Sequence, residues 1–328
     1  MDIKLDYDDV YITPKPTELK SRADVNLQVS YITKHSKKRI YGLPVLVANM
    51  DKIGVPSMAK ALHKYEIGVC LHKHYKQDEI VNFLNDDRSE FSFISSGITN
   101  DDFEKLKTIK AFTNKNFNIC LDVANGYMYS FLDHIKKTRE SFPNHIIMAG
   151  NVCTPEGVEN IIKAGADIVK CGIGQGSKCD TKNKAGISYK QFSVSLECGQ
   201  AANELHSLCC SDGGIKTVAD ICKSLGAGSH FAMCGGLFFG YKENETEWIK
   251  SGSDKKMLSY GMSSKKANEK FFGGLQDYRT SEGKEEYVLY KGEVSEIAQD
   301  IRGGLASVCT YTNTKNLENL YKNCSFTR

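Results

Sequence analysis

Eight short, mostly apolar runs rich in β-branched residues recur between residues 43 and 234. They cover residues 43–48, 67–71, 91–95, 117–121, 145–149, 167–170, 207–210 and 229–234. Longer charged stretches with helical character separate them. Apolar residues that do not alternate with polar ones are typical of strands covered on both faces, as in parallel sheets. The pattern therefore predicts eight parallel strands.

Helix start and stop signals lie between these runs. Thr154 can cap a helix whose first turn contains Pro155, Gly165 ends that segment, and Gly226 closes the next comparable one. Strands that alternate with helices predict an α/β protein, and we expect a (β/α)8 TIM barrel. The alternative is an open doubly wound sheet, but no run leads into the Gly-x-Gly-x-x-Gly turn of that architecture.

The last quarter of the chain has a different character. Residues 241–293 are mostly polar after the eighth run, and we expect them to form a mobile C-terminal flap, or extension. No linker rich in Pro, Gly or Ser divides the chain. We therefore expect residues 1–328 to form a single catalytic domain with an N-terminal arm and no inserted regulatory module.

Composition narrows the class of protein. The formal net charge is only +3, which does not favour nucleic acid or a membrane surface as the main partner. The N-terminus lacks a signal-like apolar stretch, and no window approaches a membrane span. None of the twelve cysteines forms a Cys-x-x-Cys pair, so a disulfide framework or zinc site is not indicated. We expect a cytoplasmic enzyme.

The segments that follow the predicted strands are rich in glycine and polar residues, and active sites of such barrels lie at these strand ends. Gly213-Gly214 and Gly235-Gly236 follow the last two strands, where backbone N–H groups can bind a phosphate. Tight turns are the alternative. Asp212 would accept hydrogen bonds from ribose hydroxyls, unless it serves as a helix N-cap.

A glycine-rich loop after the sixth strand contains the candidate nucleophile. Cys179 lies in the segment Gly-Ile-Gly-Gln-Gly-Ser-Lys-Cys-Asp-Thr, residues 172–181. A thiolate favoured by nearby donors can attack an electron-poor carbon such as C2 of a purine. An ordinary surface cysteine is the alternative.

His72-Lys73-His74 follows the second predicted strand. The two imidazoles suggest a metal site, but no further ligand has convincing spacing, and we prefer Lys73 as a cation for a cofactor phosphate. Glu282 lies in the predicted flap, where it is by itself an unremarkable charged residue.

These residues together resemble the family of IMP dehydrogenases and GMP reductases, whose shared loop reads Gly-Ile-Gly-x-Gly-Ser-x-Cys-x-Thr. The matching segments extend over essentially the whole chain. They include Asp6-Tyr7-Asp8-Asp9-Val10, Leu19-Lys20-Ser21-Arg22, Ala48-Asn49-Met50-Asp51, His72-Lys73-His74-Tyr75, Asp122-Val123-Ala124-Asn125-Gly126, Tyr260-Gly261-Met262-Ser263, Ser281-Glu282-Gly283-Lys284 and Cys309-Thr310-Tyr311. The match is closer to the reductase branch, because the flap carries Ser-Glu-Gly-Lys instead of the Arg-Tyr pair of the dehydrogenases.

The resemblance implies NADPH-dependent conversion of GMP to IMP and ammonia. Cys179 would attack C2 of GMP and form a covalent thioimidate, while Thr181 and Glu282 would help ammonia to leave. The alternatives are an IMP dehydrogenase without regulatory modules, a degenerate barrel that only binds nucleotide, and a flavin-dependent barrel.

The same resemblance assigns binding residues. GMP or IMP would contact Ser177, Asp212, Gly213, Gly214, Gly235, Gly236, Gly261, Met262, Ser263, Arg279 and Gly283. NADPH would contact Ser21, Arg22, Lys73, Asp122, Val123, Ala124, Ile173, Gly174, Tyr278, Arg279, Ser307, Val308, Cys309 and Thr310, the last four donated by a neighbouring subunit of a homotetramer. Carbonyl groups of Gly174, Gly176, Cys179 and Lys182 would bind a monovalent cation such as K⁺. The chain departs from the family pattern at Gln175, Asp180 and Lys182, where Pro, Thr and Arg are usual.

Overall fold

The computed structural model describes residues 2–278 and 280–328. The strands of these residues are β1 Tyr11–Ile12, β2 Val29–Ile32, β3 Arg39–Gly42, β4 Val45–Val47, β5 Gly68–Leu71, β6 Phe93–Ser96, β7 Asn118–Asp122, β8 Ile147–Val152, β9 Ile168–Cys171, β10 Leu208–Asp212, β11 Phe231–Cys234, β12 Ile249–Ser251, β13 Asp254–Tyr260, β14 Glu285–Leu289 and β15 Phe326–Thr327.

Helices occupy most of the connections. They are α1 Pro56–Leu62, α2 Gln77–Leu84, α3 Asn100–Phe112, α4 Tyr129–Ser141, α5 Pro155–Ala164, α6 Thr181–Lys184, α7 Gln191–Glu204, α8 Val218–Gly226, α9 Lys265–Phe272, α10 Val294–Tyr311 and α11 Leu320–Asn323. Short 3-10 helices cover Tyr7–Asp9, Arg22–Asp24, His63–Tyr65, Asp87–Ser89, Gly236–Phe238 and Leu317–Asn319.

Strands β4 to β11 form a closed barrel in which every neighbouring pair is parallel, and β11 closes it by pairing with β4. Each strand coincides with one of the eight predicted apolar runs, so the predicted (β/α)8 barrel is confirmed and the open doubly wound sheet is wrong. The strands are buried along nearly their whole length. Both faces are covered because side chains fill the barrel interior and helices pack outside.

The predicted boundaries of α5 and the predicted end of α8 agree with the capping residues in the structure. The Thr154 side chain accepts a hydrogen bond from the Gly157 N–H at 3.3 Å, with Pro155 as the first residue of α5. Gly165 ends this helix with a φ of +115°, a conformation that glycine adopts without steric cost. Helix α8 ends at Gly226, as predicted.

The N-terminal arm covers the end of the barrel where the strands begin. Strands β2 and β3 form an antiparallel hairpin, and the backbone N–H groups of His35 and Ser36, between them, donate to Asp167 at 2.8 and 3.0 Å. Asp167 directly precedes β9, so the hairpin lies at the N-terminal end of the strands. Strand β1 pairs with β15, which joins the two ends of the chain. The opposite, C-terminal end of the barrel is therefore the open rim.

Residues 241–293, the predicted flap, contain a folded unit in their described part, which we call the extension. Strands β12, β13 and β14 form an antiparallel sheet, and α9 lies between β13 and β14 in the chain. Trp248 packs edge-on against Tyr290 at a ring distance of 5.1 Å. None of the described helices combines the length and apolar character that crossing a bilayer requires.

Candidate active site

The loop after β9 and the glycine pairs after β10 and β11 lie against one another at the rim. The Gly214 N–H donates to the Gln175 carbonyl at 3.0 Å. A Cβ atom on Gly213 would lie 3.1 Å from the Gly176 nitrogen, and one on Gly236 would lie 3.1 Å from the Ser177 Oγ. The structure thus brings the predicted phosphate-binding glycines and the cysteine loop into one site.

Cys179, Thr181 and Glu282 form a continuous hydrogen-bonded chain. The half-buried Cys179 Sγ lies 3.2 Å from the Thr181 Oγ1, which donates to the Glu282 Oε2 at 2.6 Å. A thiol, a hydroxyl and a carboxylate in this order can relay a proton to or from a group bound beside the sulfur. Glu282 comes from the extension, about a hundred residues after the thiol, and meets it only in the folded chain.

The extension holds Glu282 in place through backbone pairing with the cysteine loop. The Asp180 N–H donates to the Glu282 carbonyl at 2.6 Å, and the Lys284 N–H donates to the Lys178 carbonyl at 2.9 Å. Cys179 lies opposite Gly283 in this antiparallel bridge. The short ladder fixes the position of Glu282 relative to the thiol.

Two predicted substrate-binding glycines are required by this close approach. A Cβ atom on Gly261 would lie 2.4 Å from the Lys178 carbonyl oxygen, and one on Gly283 would lie 2.4 Å from the Ser264 nitrogen. A larger residue at position 261 would push the extension away from the loop, and one at position 283 would collide with Ser264 inside the extension. The side chain of Lys178 also forms an ion pair with Glu286 of β14.

Asp212 belongs to a buried polar network that sequence reasoning did not identify. Its Oδ2 accepts hydrogen bonds from Lys170 Nζ at 2.6 Å and Asn151 Nδ2 at 2.9 Å. The N-cap of α8 is Thr217, so the N-cap alternative for Asp212 is wrong. Lys170 also donates to Asp122 at 2.8 Å. A lysine in the middle of an otherwise apolar strand was the available signal.

In this network, burial and the neighbouring charges shift the pKa values in opposite directions. Burial alone raises the pKa of Asp122, but the charge and hydrogen bond of Lys170 outweigh it and hold the pKa below its usual range. Burial lowers the pKa of Lys170, and the charges of Asp122 and Asp212 reverse that effect and raise it well above the ordinary value. Lys170 is therefore a permanent buried cation.

A second cluster, also missed by sequence reasoning, links the extension to the rim. The buried carboxylate of Asp51, after β4, accepts hydrogen bonds from the Tyr260 hydroxyl and from Lys270 Nζ, the latter at 2.6 Å. Burial raises the pKa of Asp51, but the bonds from Lys270 and Tyr260 make the net shift downward. The Asp51 N–H donates to the Met262 Sδ at 3.2 Å, which places this predicted nucleotide contact beside the cluster.

The two histidines of His72-Lys73-His74 lie in aromatic stacks. His72 stacks on Tyr75 at 4.2 Å, and His74 stacks on Phe271 of α9 at 3.8 Å. Burial lowers the pKa of each histidine to about 4, so both are neutral at physiological pH. Within the described ranges, no cluster of three or more His, Cys, Asp or Glu side chains is arranged as a metal site.

The predicted cofactor residues fall into two groups. Those at the rim follow β5, β7 and β9, and the charge of one of them, Lys73, contributes to lowering the pKa of Asp122. The rim group comprises Lys73, Asp122, Val123, Ala124, Ile173 and Gly174. Tyr278 belongs to the extension, and Arg279, predicted to contact both ligands, lies outside the described residues.

The second group lies away from the rim of its own chain. Ser307, Val308, Cys309 and Thr310 are in the C-terminal half of α10, and the 3-10 helix capped by Ser21 and containing Arg22 packs against α10. The thiol of Cys309 lies near Cys222 and Cys324, and Cys324 lies beside Gly226 at the end of α8. Gly304, one turn earlier in α10, lies against Val218 at the start of α8, so this group lies on the outer surface of the barrel, along α8.

The residues expected to hold a monovalent cation are close in sequence. Gly174 has a φ of +82°, which reverses the chain, and the Gly176 carbonyl accepts a bond from the Cys179 N–H at 2.9 Å. Lys182 is exposed in the first turn of α6. Asp180 directs its carboxylate to Asn183 at 2.6 Å and to Lys284 at 3.9 Å, which offsets its negative charge beside the thiol.

A cysteine loop that packs against the glycine pairs of two neighbouring strands defines this chain as a (β/α)8 barrel with a candidate active site at the carboxyl ends of its strands. A family model described as the IMP dehydrogenase / GMP reductase domain matches residues 4–328, and the chain belongs to this family.

Three relatives that match nearly the whole chain are named GMP reductase or GMP reductase 2. A GMP reductase of Caenorhabditis elegans is 46% identical over 99% of this chain and 92% of its own length. The GMP reductase of Onchocerca volvulus is 45% identical over 99% of this chain and 91% of its own length. GMP reductase 2 of Homo sapiens is 44% identical over 100% of this chain and 94% of its own length.

Proposed function

We propose that this chain is a GMP reductase that converts GMP to IMP and ammonia with NADPH. The observation that carries the proposal is the hydrogen-bonded chain from Cys179 through Thr181 to Glu282, because it joins a nucleophile to a proton donor at a phosphate-binding rim. Full-length relatives named GMP reductase support the same substrate.

GMP binding follows from the arrangement of the rim. The N–H groups at Gly213-Gly214 and Gly235-Gly236 bind the phosphate, as glycines at the last strands of such barrels do. Asp212 accepts hydrogen bonds from the ribose hydroxyls, since its carboxylate is held at the end of β10. Further contacts come from Ser177, Gly261, Met262, Ser263, Arg279 and Gly283. The base then lies over the Cys179 thiol.

The first chemical step breaks the bond between C2 and the amino group of GMP. Cys179 forms a bond from its sulfur to C2, and the amino group leaves as ammonia with the proton that the thiol gives up. An amine is a poor leaving group unless it is protonated, so Thr181 passes a proton between Glu282 and the departing nitrogen. The product of this step is a thioimidate between Cys179 and the purine.

The second step replaces the carbon–sulfur bond by a carbon–hydrogen bond and restores the thiol. Bound NADPH supplies the two electrons that reduce C2. Lys73 and Asp122 position the cofactor from the rim, together with Val123, Ala124, Ile173, Gly174, Tyr278 and Arg279. The extension excludes water from the thioimidate through its backbone bridge to the cysteine loop. For the whole reaction, GMP, NADPH and two protons give IMP, NADP⁺ and ammonium.

A homotetramer completes the cofactor site in this proposal. Ser307, Val308, Cys309 and Thr310 lie in α10 on the outer surface of their own barrel, beside the 3-10 helix of Arg22, and in this proposal they contact the NADPH of a neighbouring subunit. We further propose that K⁺ binds the carbonyls of Gly174, Gly176, Cys179 and Lys182. The free cysteines fit the reducing cytoplasm.

The experiment follows the absorbance of the reduced cofactor with purified protein. With GMP and NADPH, the protein should consume the reduced cofactor and release ammonia. With IMP and NAD⁺, it should produce no reduced cofactor. Reduction of NAD⁺ in the second mixture would identify a dehydrogenase instead.

A pair of cysteine variants separates catalysis from binding. Cys179→Ala should abolish turnover and retain GMP binding by calorimetry, because the thiol forms the bond to C2. Cys324→Ala is the matched control, a half-buried cysteine near the C-terminus, and should keep full activity. Full binding without turnover in the unmodified protein would identify a barrel that only binds nucleotide.

A further inference from the structure

One polar side chain from each of four adjacent barrel strands meets at the rim. Asp122 ends β7, Asn151 lies in β8, Lys170 in β9, and Asp212 ends β10. The Lys170 Nζ donates to Asp122 Oδ1 at 2.8 Å, Asn151 Oδ1 at 3.0 Å and Asp212 Oδ2 at 2.6 Å. All three N–H bonds of the ammonium group are therefore used.

The network is built into the barrel backbone. Lys170 is only 4% exposed, and its main chain lies close to Gly150 of the neighbouring strand. A Cβ atom on Gly150 would lie 2.2 Å from the Lys170 carbonyl oxygen and 2.7 Å from its Cβ. A side chain at position 150 would thus displace the lysine. The close packing of β8 against β9 therefore fixes the position of the ammonium group.

A buried charge of this kind is an expensive way to stabilise a barrel. Replacing a buried ion pair by apolar residues of similar size is often neutral or stabilising, because the charges no longer lose their hydration. The neighbours of Lys170 along β9 are apolar and buried. Stability alone therefore gives no reason for a lysine here, and its function must come from the groups that it contacts.

Those groups belong to two different subsites. Asp212 binds the ribose of the nucleotide, and Asp122 contacts the cofactor, both according to the proposed function. Asn151 extends the network, since its Nδ2 donates to Asp212 and, at 2.7 Å, to the carbonyl of Gly172, where the cysteine loop begins. One ammonium group thus contacts a carboxylate from each subsite.

We propose that Lys170 is a positioning residue that holds Asp212 and Asp122 in fixed orientations, so that one buried cation organises both the nucleotide and the cofactor subsites. This inference rests on the proposed function. Lys170 does not touch the reacting atoms. Each carboxylate has more acceptor sites than Lys170 occupies, so it keeps lone pairs free to accept hydrogen bonds from its ligand.

The test compares Lys170→Met, which keeps the length of the side chain and removes the charge, with three other variants. Asp212→Asn should raise the KM for GMP, and Asp122→Asn should raise the KM for NADPH. Lys170→Met should raise both KM values, each by at least about tenfold, with a smaller change in kcat. GMP binding measured by calorimetry, without turnover, should weaken in parallel with its KM.

The matched control is Arg139→Met at the opposite end of the barrel. Arg139 forms a buried ion pair with Asp167 at 2.6 Å, far from the rim. Loss of this ion pair should lower the midpoint temperature of unfolding and leave both KM values unchanged. If Lys170→Met does not fold, the double variant Lys170→Met, Asp122→Asn takes its place, because it removes the carboxylate charge of Asp122 that the single variant leaves uncompensated. Its KM for GMP should still exceed that of Asp122→Asn alone by about tenfold.

The outcomes separate this inference from the proposed function. Unchanged KM values in Lys170→Met, or a loss of stability like that of Arg139→Met and nothing more, would overturn the positioning role. A rise in one KM alone would also overturn it, because the two subsites would then be independent. If the unmodified protein neither binds GMP nor oxidises NADPH, the proposed function fails and the inference about Lys170 fails with it, whereas unchanged KM values of Lys170→Met in an active protein overturn the inference alone.

Discussion

The barrel rim and the extension contribute to the same site by different physical means. The rim network around Lys170 joins four adjacent strands, and its members are placed by parallel pairing inside a closed barrel. The extension reaches the site through a short backbone bridge at Gly283 and through the ion pair between Lys270 and Asp51. The side chain of Lys270 is 48% exposed, and that of Lys170 is 5% exposed.

This difference separates the groups proposed to bind the ligands from the group proposed to move protons. Fixed strands hold the groups proposed to bind the ligands, whereas the carboxylate proposed to move protons, Glu282, comes from a unit outside the barrel that reaches the rim through loop and side-chain contacts. Such a unit can shift during turnover without breaking the strand pairing of the barrel. We therefore expect substitutions in the barrel network to change KM and substitutions in the extension to change kcat.

The largest effect of this kind is expected for Glu282→Gln. The amide keeps the shape of the side chain and its contact with Thr181 but cannot supply a proton, so kcat should fall by about a hundredfold or more. GMP binding by calorimetry should be unchanged. The matched control is Glu285→Gln, three residues further along the extension. The Glu285 carboxylate accepts a hydrogen bond from the Lys266 N–H, and this variant should remain active. Equal losses in the two variants would contradict the proton role.

A smaller effect is expected for Lys270→Met, which removes the ion pair between α9 and the rim. Asp51 then keeps the Tyr260 hydroxyl as partner, so the extension should stay folded but open more often. We expect kcat to fall by about threefold to tenfold, since exposed ion pairs contribute little individually. Trp248, the single tryptophan, lies in the extension and reports its position by fluorescence.

The control for this variant is Lys265→Met, an exposed lysine at the start of the same helix. It should change neither kcat nor the fluorescence of Trp248. If Lys270→Met behaves in the same way, the ion pair does not hold the extension.

The smallest effect concerns pH. Burial against Phe271 lowers the pKa of His74 to about 4, and an exposed histidine has a pKa near 6.5, so opening of the extension takes up a proton between these values. Falling pH should therefore favour the open form between about 6.5 and 4. Asp51 stays ionised over most of this range because its pKa is lowered.

Trp248 fluorescence across this pH range measures the effect. His74→Phe keeps an aromatic ring against Phe271 and cannot take up the proton, so its transition should be weaker than that of the unmodified protein. His72 remains in both proteins and accounts for a residual slope. Identical curves would show that His74 does not couple protonation to opening.

The fold was predictable from local pattern because a closed parallel barrel buries every one of its strands. Each apolar run therefore marked a strand, as at residues 117–121, where the structure has Asn118–Asp122. The offset of one residue arises because strand ends are set by hydrogen bonding to neighbours and not by hydropathy. The three-stranded sheet of the extension was not predicted, since β12 and β14 are largely exposed and β13 is buried only in its second half.

The candidate site was predictable to a lesser degree. Cys179 and the glycine pairs could be identified from their place after predicted strands. Glu282 was an unremarkable charged residue by itself, and only its resemblance to a family motif singled it out. Lys170 was counted as part of a strand, because a single polar residue hardly changes the hydropathy of a run.

By itself, then, the sequence determined the eight strands, the order of the helices and the segments that follow each strand. These depend on local propensity and on which faces are buried. Only the tertiary structure decided that Glu282 meets Cys179 through Thr181, and that Lys170 joins Asp122 to Asp212. Such contacts depend on barrel closure and on the docking of the extension, which bring together side chains that are far apart in the chain.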